Sequence, residues 1–131
     1  MKVVKEENMK AEILLVIVSL SLAQQAMAYP GWICKDSENL GYTMIIKSND
    51  VPETVSISKS SRKLYEKIPL VSDPQTDGQR YVSPTYHNKL KAPTSLDIRM
   101  VFTSVGVATA QVNEVSYLPL LKVSAFNCVS E

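Results

Sequence analysis

After residue 29, no stretch of ten or more residues keeps apolar side chains at a helical period of 3.6, and the recurring period is two. In SLDIRMVFT, Leu96, Ile98, Met100 and Phe102 fall on one face and Asp97, Arg99, Val101 and Thr103 on the other. Successive side chains of an extended chain point to opposite faces, so this segment reads as a half-buried strand. GYTMIIKS places Tyr42, Met44 and Ile46 together, and ETVSISKS sets Val55 and Ile57 against Thr54, Ser56, Ser58 and Ser60. The polar, proline-bearing Ser48 to Pro52 between them predicts a hairpin.

KLYEKIPLV, VGVATAQVNEV and LLKVSAFNC supply further strands. Pro69 removes a ladder donor, which predicts a sheet edge or a bulge there. Ala108, Ala110 and Val112 are the residues of VGVATAQVNEV placed to pack against a neighbouring layer. The expected fold is therefore all-β, a small antiparallel barrel or meander of about seven or eight strands, with a two-sheet β-sandwich as the alternative. An immunoglobulin-type sandwich has its Trp between the two cysteines, whereas Trp32 precedes both. No internal repeat, low-complexity tract or interdomain linker divides the chain.

The segment before this pattern reads as a signal peptide over residues 1–28. Its dense apolar run, Ile13 to Ala23, is about half the roughly 20 residues needed to cross a bilayer. Ala26-Met27-Ala28 follows as a small-x-small cleavage box. Lys2, Lys5 and Lys10 are offset by Glu6, Glu7 and Glu12, an arrangement that Met9 as initiator would relieve. Residues 29–131 then form a single domain, large enough for one core. The expected localisation is periplasmic or secreted, with no membrane span once the leader is removed.

Cys34 and Cys128 are the only cysteines and lie near the two ends of the mature chain. In an oxidising compartment they predict a disulfide. Such a bridge would make the first and last strands neighbours. The leader's three lysines and three glutamates cancel, so the formal net charge stays at +1. That leaves no basic footprint for nucleic acid.

Catalytic constellations are absent from the pattern. His87 is the single histidine and lies in a polar, proline-bounded stretch; no G-x-S-x-G elbow and no Gly-rich phosphate loop occurs. Carboxylates are scattered singly, so an enzyme is not indicated, and neither cofactor nor metal is expected. Asp73, Gln75, Asp77 and Gly78 imitate the start of a calcium loop, but Pro84 stands where the closing Glu is needed, and the segment reads as a plain loop. Tyr81, Tyr86, Lys89 and Lys91 around that loop make an aromatic and cationic group of the kind protein-binding surfaces use.

Three short matches bracket the mature chain: Trp32-Ile33-Cys34, Gly78-Gln79-Arg80-Tyr81 and Asn127-Cys128. Through them the chain resembles the small periplasmic inhibitors of C-type lysozyme, which are disulfide-stapled β-barrels. The resemblance implies that Lys91 takes the place of the lysine entering the lysozyme cleft. At the other family positions Asp77 replaces a Ser, Lys89 a Trp and Ala92 a Gly. The expected function is a non-catalytic protein-binding module of the bacterial envelope, with a lysozyme as a possible partner and Asp77, Gly78, Tyr81, Tyr86, Lys89 and Lys91 as its contact residues. The alternative is a structural or assembly component that pairs through an exposed strand edge.

Overall fold

A computed structural model describes residues 30–131; the leader expected over residues 1–28 lies outside the described residues. The described chain is all-β. In chain order the strands are β1 (Gly31–Asp36), β2 (Tyr42–Lys47), β3 (Glu53–Lys59), β4 (Arg62–Gln75), β5 (Gly78–Val82), β6 (Tyr86–His87), β7 (Pro93–Ser104), β8 (Val107–Val115) and β9 (Ala125–Ser130). Every pairing is antiparallel. β1 to β5 pair in succession, β5 pairs with β7, and β7, β8 and β9 lead back to β1. Eight strands thus close an up-and-down barrel, and the sandwich alternative does not apply. Closure removes the free sheet edges that an open meander would expose.

β6 is the ninth strand, and its position has a local cause. Val82 pairs with Asp97 and Tyr86 with Thr94, so β6 continues the line of β5 along the same edge of β7. The line breaks at Ser83-Pro84, where Pro84 has no N–H to give. Ser83 bridges the break, donating its N–H to Leu96 O at 2.9 Å while its Oγ accepts the Leu96 N–H at 2.8 Å.

The inward faces are the alternating sets read from sequence: Tyr42, Met44 and Ile46; Val55 and Ile57; Leu96, Ile98, Met100 and Phe102; Ala108, Ala110 and Val112 are all buried. The small residues of β8 sit opposite large ones, with Ala108 paired to Phe102 and Ala110 to Phe126. That alternation lets Trp32 stack on Phe102 with ring centroids 5.7 Å apart in the barrel interior. Cys34 and Cys128 are direct partners across β1 and β9, joined at 2.00 Å and fully inside the core. The first and last strands are neighbours, as the bridge required.

Two expectations need correction. Asp73 to Tyr81 is not a loop: it is the end of β4 and most of β5, joined by the two-residue turn Thr76-Asp77. Its strand character was hidden because the apolar alternation there is broken by Asp, Gln and Arg. The last strand begins only at Ala125, and residues 116–124 form a connection. Pro69 lies within β4, paired to Thr54, on a stretch whose other side has no partner because β5 reaches only to Val71. The expected bulge is also present, between the Val55–Ile68 and Ile57–Tyr65 pairs. There Lys67 takes a positive φ of 46° and donates its N–H to Ser56 Oγ at 2.9 Å.

The β1–β2 turn depends on one carboxylate. Asp36 is buried and accepts the Leu40 and Tyr42 N–H groups, one on each oxygen, both at 2.8 Å. Burial pushes its pKa up, but the backbone donors outweigh that and hold it below the ordinary value. A depressed carboxylate contributes stability that is full above its unfolded pKa and is lost as pH falls through the folded one. Asp36→Asn is therefore expected to cost about 2 kcal/mol at neutral pH. In urea titrations from pH 7 to pH 3, the gap between wild type and variant should close as the medium becomes acidic; a gap independent of pH would refute the assignment.

Candidate functional surface

The barrel has two mouths. Pro30, the 48–52 loop, the Thr76-Asp77 turn, the Val105-Gly106 turn and Glu131 gather at the near mouth; residues 37–41, 60–61, 83–92 and 116–124 gather at the far mouth. This geometry separates the six contact residues expected from sequence. Asp77 sits in the near-mouth turn, with its carbonyl accepting the Phe102 N–H at 2.9 Å. Gly78 packs so tightly on β7 that an added Cβ would lie 1.8 Å from Met100 O, so its role is close strand approach. Tyr81 points into the core with no exposure, and burial raises its hydroxyl to a pKa of about 12.

Tyr86, Lys89 and Lys91 lie together at the far mouth, so the sequence grouping holds for these three. Tyr86 packs edge-on against Tyr65, with ring centroids 5.9 Å apart. Lys89 donates its Nζ to the Lys63 carbonyl. Lys91 is exposed at a positive φ of 61°, in a turn held by Asn88, whose Oδ1 accepts the Leu90 and Ala92 N–H groups at 2.9 and 3.1 Å. Beside them Tyr65 donates its hydroxyl to the Glu114 carboxylate; burial first, and that carboxylate second, keep the phenol far above its ordinary pKa. Burial and the same carboxylate also raise Tyr86. Tyr65 thus closes the far mouth through a hydrogen bond, whereas the Tyr86 hydroxyl is buried there with no hydrogen-bond partner among the described residues.

A different surface stands out on the outer wall. Ile33 pairs with Val129, Val129 with Val107, and Ile33 with Ile45, giving one cross-strand row over β2, β1, β9 and β8. Ile33, Val107 and Val129 are 36%, 40% and 53% exposed. A barrel wall facing water would carry polar residues at these outward positions. The sequence reading missed the row because in Trp32-Ile33-Cys34, Met44-Ile45-Ile46 and Cys128-Val129 both phases of the alternation are apolar. Those unbroken apolar runs were the available signal.

At Ile45 the row opens onto a trough along β3. The outward residues there are Thr54, Ser56 and Ser58, shorter than the Ile45, Lys47, Lys63 and Lys67 on either side. Two adjoining grooves of about 480 and 540 Å³ result, sharing Ile45, Ser56 and Lys67. Lys47 pairs with Glu131 at 2.7 Å and Lys63 with Glu66 at 3.1 Å. Lys35, one step along β1 from the row, has Thr43 and Asn127 as its register neighbours and no carboxylate.

Among the described residues, no group of three or more His, Cys, Asp or Glu side chains could hold a metal ion, and no helix is long and apolar enough to cross a membrane. Comparison of the chain with protein-family models, curated proteins and solved structures finds no match.

Proposed function

We propose that this chain is an exported, non-catalytic protein-binding barrel, and that its contact face is the outer row Ile45, Ile33, Val129 and Val107 with the adjoining trough. The single observation carrying this reading is the in-register exposure of branched apolar side chains on adjacent strands. Contiguous apolar surface on a small domain marks an interaction site more often than scattered single residues do. The buried Cys34–Cys128 bridge favours an oxidising compartment, in keeping with export to the bacterial periplasm or beyond. Lys35 at the border of the row favours a protein partner whose rim is acidic.

The lysozyme-inhibitor form of this reading has less geometric support. Asp77 lies level with Phe102 at one end of β7 and Lys91 just beyond Pro93 at the other, about 30 Å apart along the strand at roughly 3.3 Å per residue. Two such residues would not enter one cleft together. Pairing through a strand edge also has little room, since the unpartnered stretch of β4 is interrupted by Lys67 at positive φ and by Pro69.

The test compares the oxidised protein with an Ile33→Asp/Val129→Asp variant in affinity capture from envelope extract, with circular dichroism as the check on folding. Both positions face outward, so the variant should fold while losing its specific partner. Capture of the same partner by both proteins would refute the face. Conversion from dimer to monomer in sedimentation would make the partner a second copy of the chain. Inhibition of a C-type lysozyme by both proteins at micromolar concentration would return the function to the family resemblance.

A further inference from the structure

The loops at the far mouth carry apolar side chains that the barrel does not cover. Leu40, Leu90, Tyr117 and Leu118 are 50%, 52%, 71% and 41% exposed. They stand in three separate connections, residues 37–41, 83–92 and 116–124. Exposed apolar residues gathered at one end of a small domain mark an interaction site. Two of these loops are tied together: Asn88 Nδ2 donates to Leu118 O at 2.9 Å, and Asn88 Oδ1 accepts the Leu90 N–H at 2.9 Å. Glu114 fixes the 116–124 connection further through the Leu120 and Leu121 N–H groups. These tips are therefore in place before any contact is made, and little ordering entropy is lost in making one.

The charges at this end are one-sided. Lys59 and Arg62 flank the 60–61 turn, Lys89 and Lys91 flank Leu90, and Lys122 follows Leu121. Lys59 lies over the Tyr42 ring at 5.1 Å, and Lys89 is held by the Lys63 carbonyl. Arg62, Lys91 and Lys122 are exposed and make no ion pair among the described residues. The carboxylates here are mostly committed: Asp36 to backbone N–H groups, Glu66 to Lys63 at 3.1 Å, and Glu114 to its three donors. Glu38 is left. The near mouth has the opposite balance, with Asp50, Asp77 and Glu131 against Lys47. The net charge of +1 thus conceals a separation of charge along the barrel axis.

We infer that the far mouth docks on the surface of an anionic phospholipid bilayer. Leu40, Leu90 and Leu118 enter the boundary between headgroups and acyl chains, where buried apolar area and attraction to anionic lipid act together. Tyr117 sits at headgroup level, its ring on the apolar side and its hydroxyl in water. Arg62, Lys91 and Lys122 meet the lipid phosphates. An acidic protein surface would answer the cations but set the leucines against polar groups. The barrel then stands on its far end, with the acidic near mouth turned away from the like-charged bilayer. The row Ile45, Ile33, Val129 and Val107 lies on the wall and stays open, so this inference is independent of the protein-binding face proposed above.

The test is flotation of the oxidised mature protein with vesicles at about 0.1 M salt, comparing phosphatidylcholine alone with an equal mixture of phosphatidylcholine and phosphatidylglycerol. Binding at least about tenfold tighter to the mixture is expected. Lys91→Glu/Lys122→Glu and Leu90→Ser/Leu118→Ser should each weaken it by about tenfold or more, with circular dichroism as the check on folding. Lys47→Glu/Arg99→Glu makes the same change of net charge away from the far mouth and should bind as the wild type does. A Tyr117→Trp reporter should shift its emission to the blue on the mixed vesicles. Equal loss in both charge-reversed variants would reduce the effect to net charge and overturn the site. Equal binding to the two kinds of vesicle, binding to neither, or an unshifted reporter would overturn the proposal. Equally tight binding to soluble polyglutamate would overturn it too, by making the mouth a contact for acidic protein.

Discussion

Replacing Cys34 and Cys128 together by alanine should lower the unfolding free energy by about 4–5 kcal/mol, the largest effect expected of any change in this protein. The bridge closes a loop of sequence separation 94, and confining that length of chain in the unfolded state removes much of its entropy. Small domains have only about 5–15 kcal/mol in total, so the reduced barrel should melt at far lower temperature or denaturant. Both sulfurs are inside the core, so the double alanine variant also loses some packing. Urea titrations of the oxidised protein and the double variant measure the difference directly. A loss under about 1 kcal/mol would mean that the unfolded chain is already compact enough to gain nothing from the link.

The second large effect is expected at Glu114. Its carboxylate accepts the Leu120 N–H at 2.9 Å, the Leu121 N–H at 3.0 Å and the Tyr65 hydroxyl from across the barrel. It therefore ties β8, β4 and the 116–124 connection together at the far mouth. Glu114→Ala removes one acceptor group and leaves three donors without it, two of them backbone N–H groups. Hydrogen bonds to a charged group contribute about 1.5–3 kcal/mol each, and partial exposure of the mouth discounts the sum, so a loss of about 3 kcal/mol is expected. Hydrogen exchange distinguishes this cause from a general loss of stability. The amides of Leu120 and Leu121 should exchange much faster in the variant, while those of β1 and β9 change only as far as global stability does. Unchanged exchange at these two amides would show that the connection is held by its leucines and not by the carboxylate.

Much of the fold was legible before any coordinates. The alternations in β2, β3, β7 and β8 named their inward residues correctly, and the two cysteines brought the ends together. β5 was not legible, because Gln79 faces inward and Arg80 outward, which breaks the apolar alternation. The candidate contact residues fared less well. Tyr86, Lys89 and Lys91 do share a mouth, but Tyr81 is core and Asp77 belongs to the other end of the barrel. Closeness in sequence is a poor guide along an antiparallel strand, since each residue moves the chain roughly 3.3 Å from its neighbour in a constant direction.

The period of two is a property of the extended backbone, so the sequence alone determined that this chain makes strands and which side chains of each strand lie together. Where an apolar residue interrupts that pattern at an outward position, as at Ile33, Ile45 and Val129, local chemistry is the same on both faces. Only closure of the barrel decided which face meets water. The same closure set Glu114 against Tyr65 and brought Gly78 hard against the Met100 carbonyl, because those meetings depend on register between segments remote in sequence. Register is a tertiary quantity: it is selected by the summed packing of all the strands, and no single stretch carries it.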